Sequence, residues 1–557
     1  MYPKKQLAQL VLAACEQYNI STVVISPGSR NAPLTIGFSN SKTIEAISVV
    51  DERCAAFFAM GIAQQQQKPV AVICTSGSAL LNYYPAVAEA FYSKIPLVVI
   101  SADRPKHLID IGDGQTIRQE NVFQNHILNS ANLSADPDKK TLQQNISLVA
   151  NALQIANQQK GPVHINVPFD EPLYETTSKL NSFNFLALNK TVLDDSQIDF
   201  HKISSIWNSA EKKLVLVGVN FPSEKVQKEL NKLVEDQSVL VMTETTSNLH
   251  NDVFVNAIDK LITKLKDDDL ENLKPDILLT FGGMVISKRI KQFLRKYQPT
   301  HHWHVDEHTK MDTYFCLSEY FKQKPAVFLE KLNSVVLKKS VATSENYQEK
   351  WLKEKIARTI QHNLYLKTAP YSDLKVFEDI LTSIPENSQV QISNSSIIRY
   401  AQLFDVNSSF RVFCNRGTSG IDGSTSTAIG AAFAVKEPTV FITGDISFFY
   451  DSNALWNSHT PKNFRIILLN NDGGGIFKII PGPKSTNSLS YFETPHGLKA
   501  ENLAKMFGFD YYLATDINSV KSQLKDFYKV SNQPKILEIV TPSDVNDVVL
   551  QQYFKSL

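Results

Sequence analysis

Short runs of β-branched and aliphatic residues alternate with longer stretches of helical period along almost the whole chain. The runs are Thr22–Ile25, Val70–Cys74, Leu97–Ile100, Val163–Val167, Leu214–Val217, Ser238–Met242, Ile277–Thr280, Val440–Thr443, Ile466–Leu469 and Ile536–Val540. Continuous rather than alternating apolar runs are the mark of strands covered on both faces. The pattern therefore predicts an α/β fold, repeated, in which each domain is a mainly parallel sheet with helices on both sides. Near the N-terminus Leu7, Leu10, Val11 and Ala14 fall on one face, which predicts an amphipathic helix. The same stretch, from Lys4 and Lys5 to Cys15, has the outline of a lipoprotein signal. Gln6 and Gln9 interrupt its apolar run, and a strand follows at once, so the helix is the better reading.

Two segments break the alternation. Glu171–Asp199 is polar and irregular, with Pro172 early. Lys338–Tyr347 is rich in Lys, Ser and Thr and precedes a charged helix beginning near Gln348. Cuts there give three domains, 1–185, 186–350 and 351–557, each of ordinary size. A weak echo links the outer two. Pro69–Ser78 and Pro438–Ser447 both run from an apolar strand into a Gly-containing turn and are followed by another strand at nearly the same offset.

Composition narrows the class. The chain has 557 residues, 57 Lys+Arg against 56 Asp+Glu, and 43% hydrophobic residues. One core does not grow to this length, and the apolar content excludes a largely disordered chain. No apolar run is long enough to span a bilayer. A net charge of +1 without a basic tail argues against nucleic acid as a partner. Cys15, Cys54, Cys74, Cys316 and Cys414 stand far apart, with no zinc spacing and no disulfide framework. They read as free thiols of a cytoplasmic protein.

The echo is unequal in its chemistry. Only the later copy carries an acid after the glycine, Gly444-Asp445, and an Asn pair after the next strand, Asn470-Asn471-Asp472-Gly473-Gly474-Gly475. Adjacent parallel strands ending in Asp and Asn set hard oxygens side by side at the sheet's carboxyl edge, where open α/β folds bind ligands. A carboxylate, an amide oxygen and a backbone carbonyl suit Mg²⁺ or Mn²⁺. The helix N-terminus and glycine amides beside them would cradle a diphosphate. Either piece alone is more often a plain turn; the combination is far more specific. It resembles the metal motif of the thiamine-diphosphate enzymes.

That resemblance gives a role to Asp51-Glu52-Arg53, which follows the strand Ile44–Val50 and opens a helix, Cys54–Gln66. In the family a glutamate from the first domain hydrogen-bonds the cofactor's pyrimidine ring, and Glu52 fits it by position. The likeness narrows further to the family of 2-succinyl-5-enolpyruvyl-6-hydroxy-3-cyclohexene-1-carboxylate synthases of menaquinone biosynthesis. It is carried by Ser26–Leu34, Asp51–Arg53, Thr75–Ala79, Ser101–Pro105, Asn415–Gly423 and Gly474–Phe477, in order along the whole chain. The third position of the metal motif is Ile446, as that family has it.

The resemblance implies decarboxylation of 2-oxoglutarate and conjugate addition of the remaining succinyl semialdehyde unit to isochorismate. Both substrates are dicarboxylates, for which guanidinium groups are the natural clamps. Ser29, Arg30, Arg104, Gln115, Lys288, Ser395, Arg399 and Arg416 match the family's substrate positions. Ser395, Gly420, Ile421, Gly444, Asp445, Ile446, Ser447, Asn471, Gly473, Gly474, Ile476 and Phe477 match its cofactor site, with Asp445, Asn471 and Gly473 as metal ligands. Ile421 would be the wedge beneath the bent cofactor, and Ile476 and Phe477 the apolar wall of the pocket. The same likeness implies a homodimer or a dimer of dimers (a homotetramer), with the active site at the interface. Gly114 and Gly475 depart from it, each standing where the family often has a polar side chain.

Other readings are weaker. An acetolactate synthase or a simple 2-oxoacid decarboxylase does not need four arginines around a small acceptor. A non-catalytic nucleotide-binding regulator would not need Glu52. A nicotinamide dehydrogenase lacks its Gly-x-Gly-x-x-Gly turn. The run His301–His308 suggests zinc but reads better as a middle-domain strand ending in a turn.

Overall fold

The computed structural model describes residues 1–136, 138–185, 198–337, 346–479 and 482–557. Each apolar run named above forms a strand. Several outlast their apolar stretch: Leu97–Asp103 and Phe464–Asn470 continue into polar residues at their carboxyl ends, where the sheet edge carries the chemistry. The helix after Asp51 starts earlier than its apolar pattern, at Glu52, because the Asp51 side chain accepts the Cys54 N–H and caps it. The N-terminal helix is Gln6–Gln17 and is covered more widely than one stripe. Gln9 is buried in it, its amide donating to the Pro3 carbonyl and accepting the Asn181 N–H.

The strands form three six-stranded parallel sheets, one per expected domain. The first runs, edge to edge, Glu45–Ser48, Thr22–Ile25, Val70–Cys74, Leu97–Asp103, Val163–Pro168, Asn129–Asn132. The third runs Arg411–Phe413, Gln389–Ile392, Thr439–Gly444, Phe464–Asn470, Lys535–Val540, Asp510–Ala514. Numbered within each domain, both have the order 2-1-3-4-6-5, so the sequence echo is a shared topology. The middle sheet differs, with order 3-2-1-4-5-6 from Lys213–Val217 to Leu317–Phe321. In the outer sheets the connections reverse direction between the first and third strands, the crevice where such folds bind ligands.

Residues 186–197 of the first expected linker and 338–345 of the second lie outside the described residues. Within the described part of the first, Thr176–Thr177 pairs antiparallel with Tyr2–Pro3. The charged helix expected near Gln348 runs Tyr347–Thr368 and belongs to two domains. Tyr347 and Trp351 are buried in the middle domain with Leu240, Met242 and Phe293. Leu366 is buried in the third domain with Leu374 and Phe377.

The outer domains meet through two helices, Glu52–Gln66 and Ser424–Ala434, whose backbones nearly touch. A Cβ at Gly61 would stand 2.2 Å from the Thr427 carbonyl oxygen, and one at Gly430 2.0 Å from that of Phe58. His301–Val305 is a middle-sheet strand, and His302 and His304 both hydrogen-bond the Thr280 hydroxyl. No group of three or more His, Cys, Asp or Glu side chains set to hold a metal ion forms there or elsewhere among the described residues. No helix among them is long and apolar enough to cross a membrane.

Candidate active site

Gly444 ends its strand beside Leu469 of the neighbouring one. That register brings Asp445 and Asn471 to one edge. Asp445 is buried, and its Oδ1 accepts the Ile446 N–H at 2.7 Å. Its Oδ2 accepts the Gly473 N–H at 2.9 Å and faces His496 Nε2 at 3.3 Å. The hydrogen bond to Asp445 holds the His496 imidazole above its ordinary range. Asn471 Nδ2 donates to Asp373 Oδ2 at 2.7 Å, and Asn471 Oδ1, though buried, has no partner. An orphaned buried acceptor demands a ligand. Beside a carboxylate and the Gly473 carbonyl, this donor set fits a hard divalent cation. The Gly473 carbonyl accepts only the Gly475 N–H, leaving a lone pair. Gly473 has φ +143°, and a Cβ there would stand 2.4 Å from the Glu493 carbonyl oxygen, so only glycine fits.

One expectation fails here. The glycine amides do not form an open diphosphate cradle, because the loop folds back on itself and on Glu493. The N–H of Gly473 goes to Asp445, that of Gly474 to the Glu493 carbonyl and that of Gly475 to the Gly473 carbonyl.

The neighbouring loops are stitched by Asn394, which the sequence reading missed. Its Nδ2 donates to the carbonyls of Asn415 and Gly420, and its Oδ1 accepts Arg416 Nη1 at 2.8 Å. Ser395 follows at φ +70°, the kind of backbone strain that collects at functional turns. Ser447 Oγ donates to the Ile421 carbonyl, fixing that loop against the metal motif. Ile421 itself is only half-buried, so it is no plain core residue.

A cavity of about 280 Å³ opens beside this edge, lined by Lys288, Ser396, Arg399, Tyr400 and Ile476 among others. Arg399 Nε and Arg416 Nε are buried without partners. Burial, then the charge of Arg416, holds the Arg399 guanidinium below its ordinary value. Asp259 and Glu244 partly offset these two cations, and the unfilled Nε donors suit a further carboxylate. Lys288 opens the helix Lys288–Lys296. Its approach is held by Glu244, whose carboxylate accepts the N–H groups of Ile286 and Ser287 at 2.7 Å each. Burial pushes the Glu244 carboxyl up to about 7. Phe477, next to the cavity-lining Ile476, stacks on Phe492 with ring centroids 5.1 Å apart. Gly475 stands against Asn471, where a Cβ would come within 3.2 Å of its Nδ2.

The Arg416 loop is also latched from the first domain. Glu89, buried on the helix Tyr84–Ser93, accepts the N–H groups of Gly417 and Thr418 at 2.6 Å each. Replacing Glu89 by Gln turns one acceptor into a donor facing these amides. The lost charge-assisted bond costs about 1.5–3 kcal/mol. Steady-state kinetics of Glu89→Gln are expected to show KM for the anionic substrate raised about tenfold or more, with kcat changed less. An unchanged KM would mean that other contacts place Arg416.

The first-domain residues gather at their own sheet edge. Glu52 is half-buried between two residues pinned to the third domain of the same chain. Asp51 accepts Asn453 Nδ2 at 2.9 Å, and Arg53 donates to the Tyr450 carbonyl at 3.0 Å. Asp451 lies beneath them, its carboxyl pushed up to about 7 by burial. Burial, and after it the Glu52 charge, raises the Cys74 thiol, which sets Glu52 near that strand end. Arg30 and Arg104, which match substrate positions of the family, both have protein partners. Arg30 binds the Phe169 carbonyl at 3.0 Å and Glu171 at 3.1 Å, while Arg104 binds the Gly114 carbonyl at 3.2 Å and lies 3.8 Å from Asp113. Each keeps a buried, unpartnered Nε. Ser29 and Gln115 are exposed, and Ser76 Oγ donates to the Gln115 carbonyl. A Cβ at Gly114 would meet open space. Among the described residues no side-chain hydrogen bond or ion pair joins Glu52, Arg30, Arg104 or Gln115 to Asp445, Asn471, Arg399 or Arg416.

Comparison with known families agrees with this arrangement. Residues 5–133 match the thiamine pyrophosphate enzyme, N-terminal TPP binding domain. Residues 191–392 match the middle domain of thiamine pyrophosphate enzymes, and 394–539 their C-terminal TPP binding domain. The class defined by fold and site is a thiamine-diphosphate enzyme, with thiamine diphosphate and a divalent ion such as Mg²⁺ as its cofactors. The chain is 54% identical to the 2-succinyl-5-enolpyruvyl-6-hydroxy-3-cyclohexene-1-carboxylate synthase of Flavobacterium johnsoniae, with 100% of both chains covered. It is 54% identical to that of Flavobacterium psychrophilum, again over 100% of both, and 37% to that of Cytophaga hutchinsonii over 97% of both. The chain belongs to the family of 2-succinyl-5-enolpyruvyl-6-hydroxy-3-cyclohexene-1-carboxylate synthases.

Proposed function

We propose that the protein decarboxylates 2-oxoglutarate and adds the resulting succinyl semialdehyde unit to isochorismate. The products are CO₂ and the cyclohexene carboxylate for which its relatives are named, a precursor of menaquinone. The observation that carries this reading is the unfilled chemistry at the third-domain edge. Asn471 Oδ1 has no hydrogen-bond partner next to Asp445, and neither has the buried Nε of Arg399 or of Arg416. Thiamine diphosphate bound there supplies the nucleophilic carbon and the electron sink for loss of CO₂.

The chain's own residues do the rest in this reading. Asp445, Asn471 and the Gly473 carbonyl hold the divalent ion. Ser395, Gly420, Ile421, Gly444, Ile446, Ser447 and Gly474 shape the cofactor bed. Arg399, Arg416, Lys288, Arg30 and Arg104 hold substrate carboxylates, with Ser29 and Gln115 as polar contacts. Ile476 and Phe477 keep water from the reacting carbon. Glu52 holds and returns a proton on the pyrimidine ring. It makes no bond to the metal cluster of its own chain, which favours a homodimer or dimer of dimers whose sites are completed by a second copy. The domain bounds of this reading are 1–185, 186–350 and 351–557, the second lying in the first turn of the helix Tyr347–Thr368. The protein works in the cytoplasm in this reading, where its dicarboxylate substrates are.

The test is 2-oxoglutarate consumption followed by mass spectrometry, with thiamine diphosphate and Mg²⁺, with and without isochorismate. Rapid consumption only with isochorismate, giving isochorismate with the four-carbon succinyl semialdehyde unit added, is the expected result. Equal consumption without it would mean a decarboxylase or a looser carboligase. No consumption with cofactor bound would remove the substrate assignment.

A further inference from the structure

A carboxamide has two nearly isosteric ends, and only one of them can ligate a cation. Something must fix which end of Asn471 faces the ion. We propose that Asp373 is a positioning residue that locks the Asn471 amide with its oxygen turned toward the metal. The inference rests on the reading of Asn471 as a metal ligand.

Asp373 is almost completely buried at the start of the helix Asp373–Ser383, and nothing in its sequence context marks it. Its backbone N–H donates to Asn546 Oδ1 at 2.8 Å, and its carboxylate Oδ1 accepts the Thr541 hydroxyl at 2.5 Å. These two bonds fix the carboxylate. The remaining oxygen, Oδ2, accepts Asn471 Nδ2 at 2.7 Å. An ionised carboxylate only accepts, so it binds the NH₂ end of the amide and rejects the oxygen end. A flipped amide would set two acceptors against each other and turn its NH₂ toward the cation. The observed arrangement leaves Asn471 Oδ1 buried and unpartnered. This is the work that outer carboxylates do for metal-ligating side chains.

The test is Mn²⁺ affinity with saturating thiamine diphosphate, read as free Mn²⁺ by electron paramagnetic resonance, so that turnover plays no part. Asn471→Ala sets the scale for losing the ligand. Asp373→Asn is expected to weaken Mn²⁺ binding about 10–100-fold. Asn471→Asp alone would oppose two carboxylates and also weaken it. The double exchange Asp373→Asn with Asn471→Asp reverses the direction of the hydrogen bond and still offers the ion an oxygen. It is expected to recover most of the affinity lost in Asn471→Asp. Parental affinity in Asp373→Asn, with loss in Asn471→Ala, would overturn the positioning role. Parental affinity in Asn471→Ala would instead remove the ligand assignment on which the inference stands. Should Asp373→Asn fail to fold, the exchange pair decides, since no recovery there overturns the proposal.

Discussion

Glu52→Gln is expected to lower kcat about 10²–10⁴-fold, the range a positioned acid–base group supplies. The substitution keeps the side chain's length and its place at the start of the helix Glu52–Gln66. It removes only the carboxylate, the group to which the proposed proton transfer belongs. Asp51, which caps the helix, and Arg53, which is held at Tyr450, are untouched. The fold and the angle of the helix therefore survive. Asp445 and Asn471, the proposed metal ligands, lie on another domain and among the described residues share no hydrogen bond with Glu52, so Mn²⁺ affinity is expected to stay at the parental value. Single-turnover kinetics and Mn²⁺ titration of the same preparation check both halves. Turnover at the parental rate would remove Glu52 from the chemistry. Loss of turnover together with Mn²⁺ affinity would make its role structural.

The largest expected loss of stability comes from a single methyl group. Gly430→Ala would place a Cβ 2.0 Å from the Phe58 carbonyl oxygen, and the obstacle is backbone in the middle of a buried helix. No rotamer relieves such a contact, so the two helices must part, and the packing of the outer domains parts with them. Overpacking of a core costs about 1–3 kcal/mol when side chains can yield. Here the cost is expected at or above about 3 kcal/mol, read as a shift of the denaturant midpoint. Gly61→Ala meets the Thr427 carbonyl oxygen at 2.2 Å and is expected to act alike. The two substitutions together should cost less than their sum, because helices already forced apart by one have room for the other. Full additivity would mean that each contact relaxes separately.

Much of the fold could be read from periodicity, because parallel strands buried on both faces leave unbroken apolar runs. Of the strands not singled out, Asn129–Asn132, Arg411–Phe413 and Asp510–Ala514 lie at sheet edges, and Gln389–Ile392 is interior but alternates Gln with apolar residues. That Asp445 and Asn471 meet was legible for a related reason. Asp445 and Asn471 are each tied to the end of a strand, so spacing alone carries them to one edge. The residues that aim the site were not legible. Asp373 looks like an ordinary acid in a first helical turn, Glu89 like a solvated helix position, and Asn394 like a loop amide. Each acts on a partner far away in sequence, and nothing local marks that. The glycine loop misled for the opposite reason. Its composition is right for binding phosphate, but its amides are consumed by Asp445, Gly473 and Glu493.

The helix Tyr347–Thr368 buries its first turns in one hydrophobic core and its last turns in another. A rigid rod shared in this way transmits torque. If the middle domain turned against the third, either Trp351 or Leu366 would have to leave its pocket. The two domains are therefore geared together as a single mechanical body.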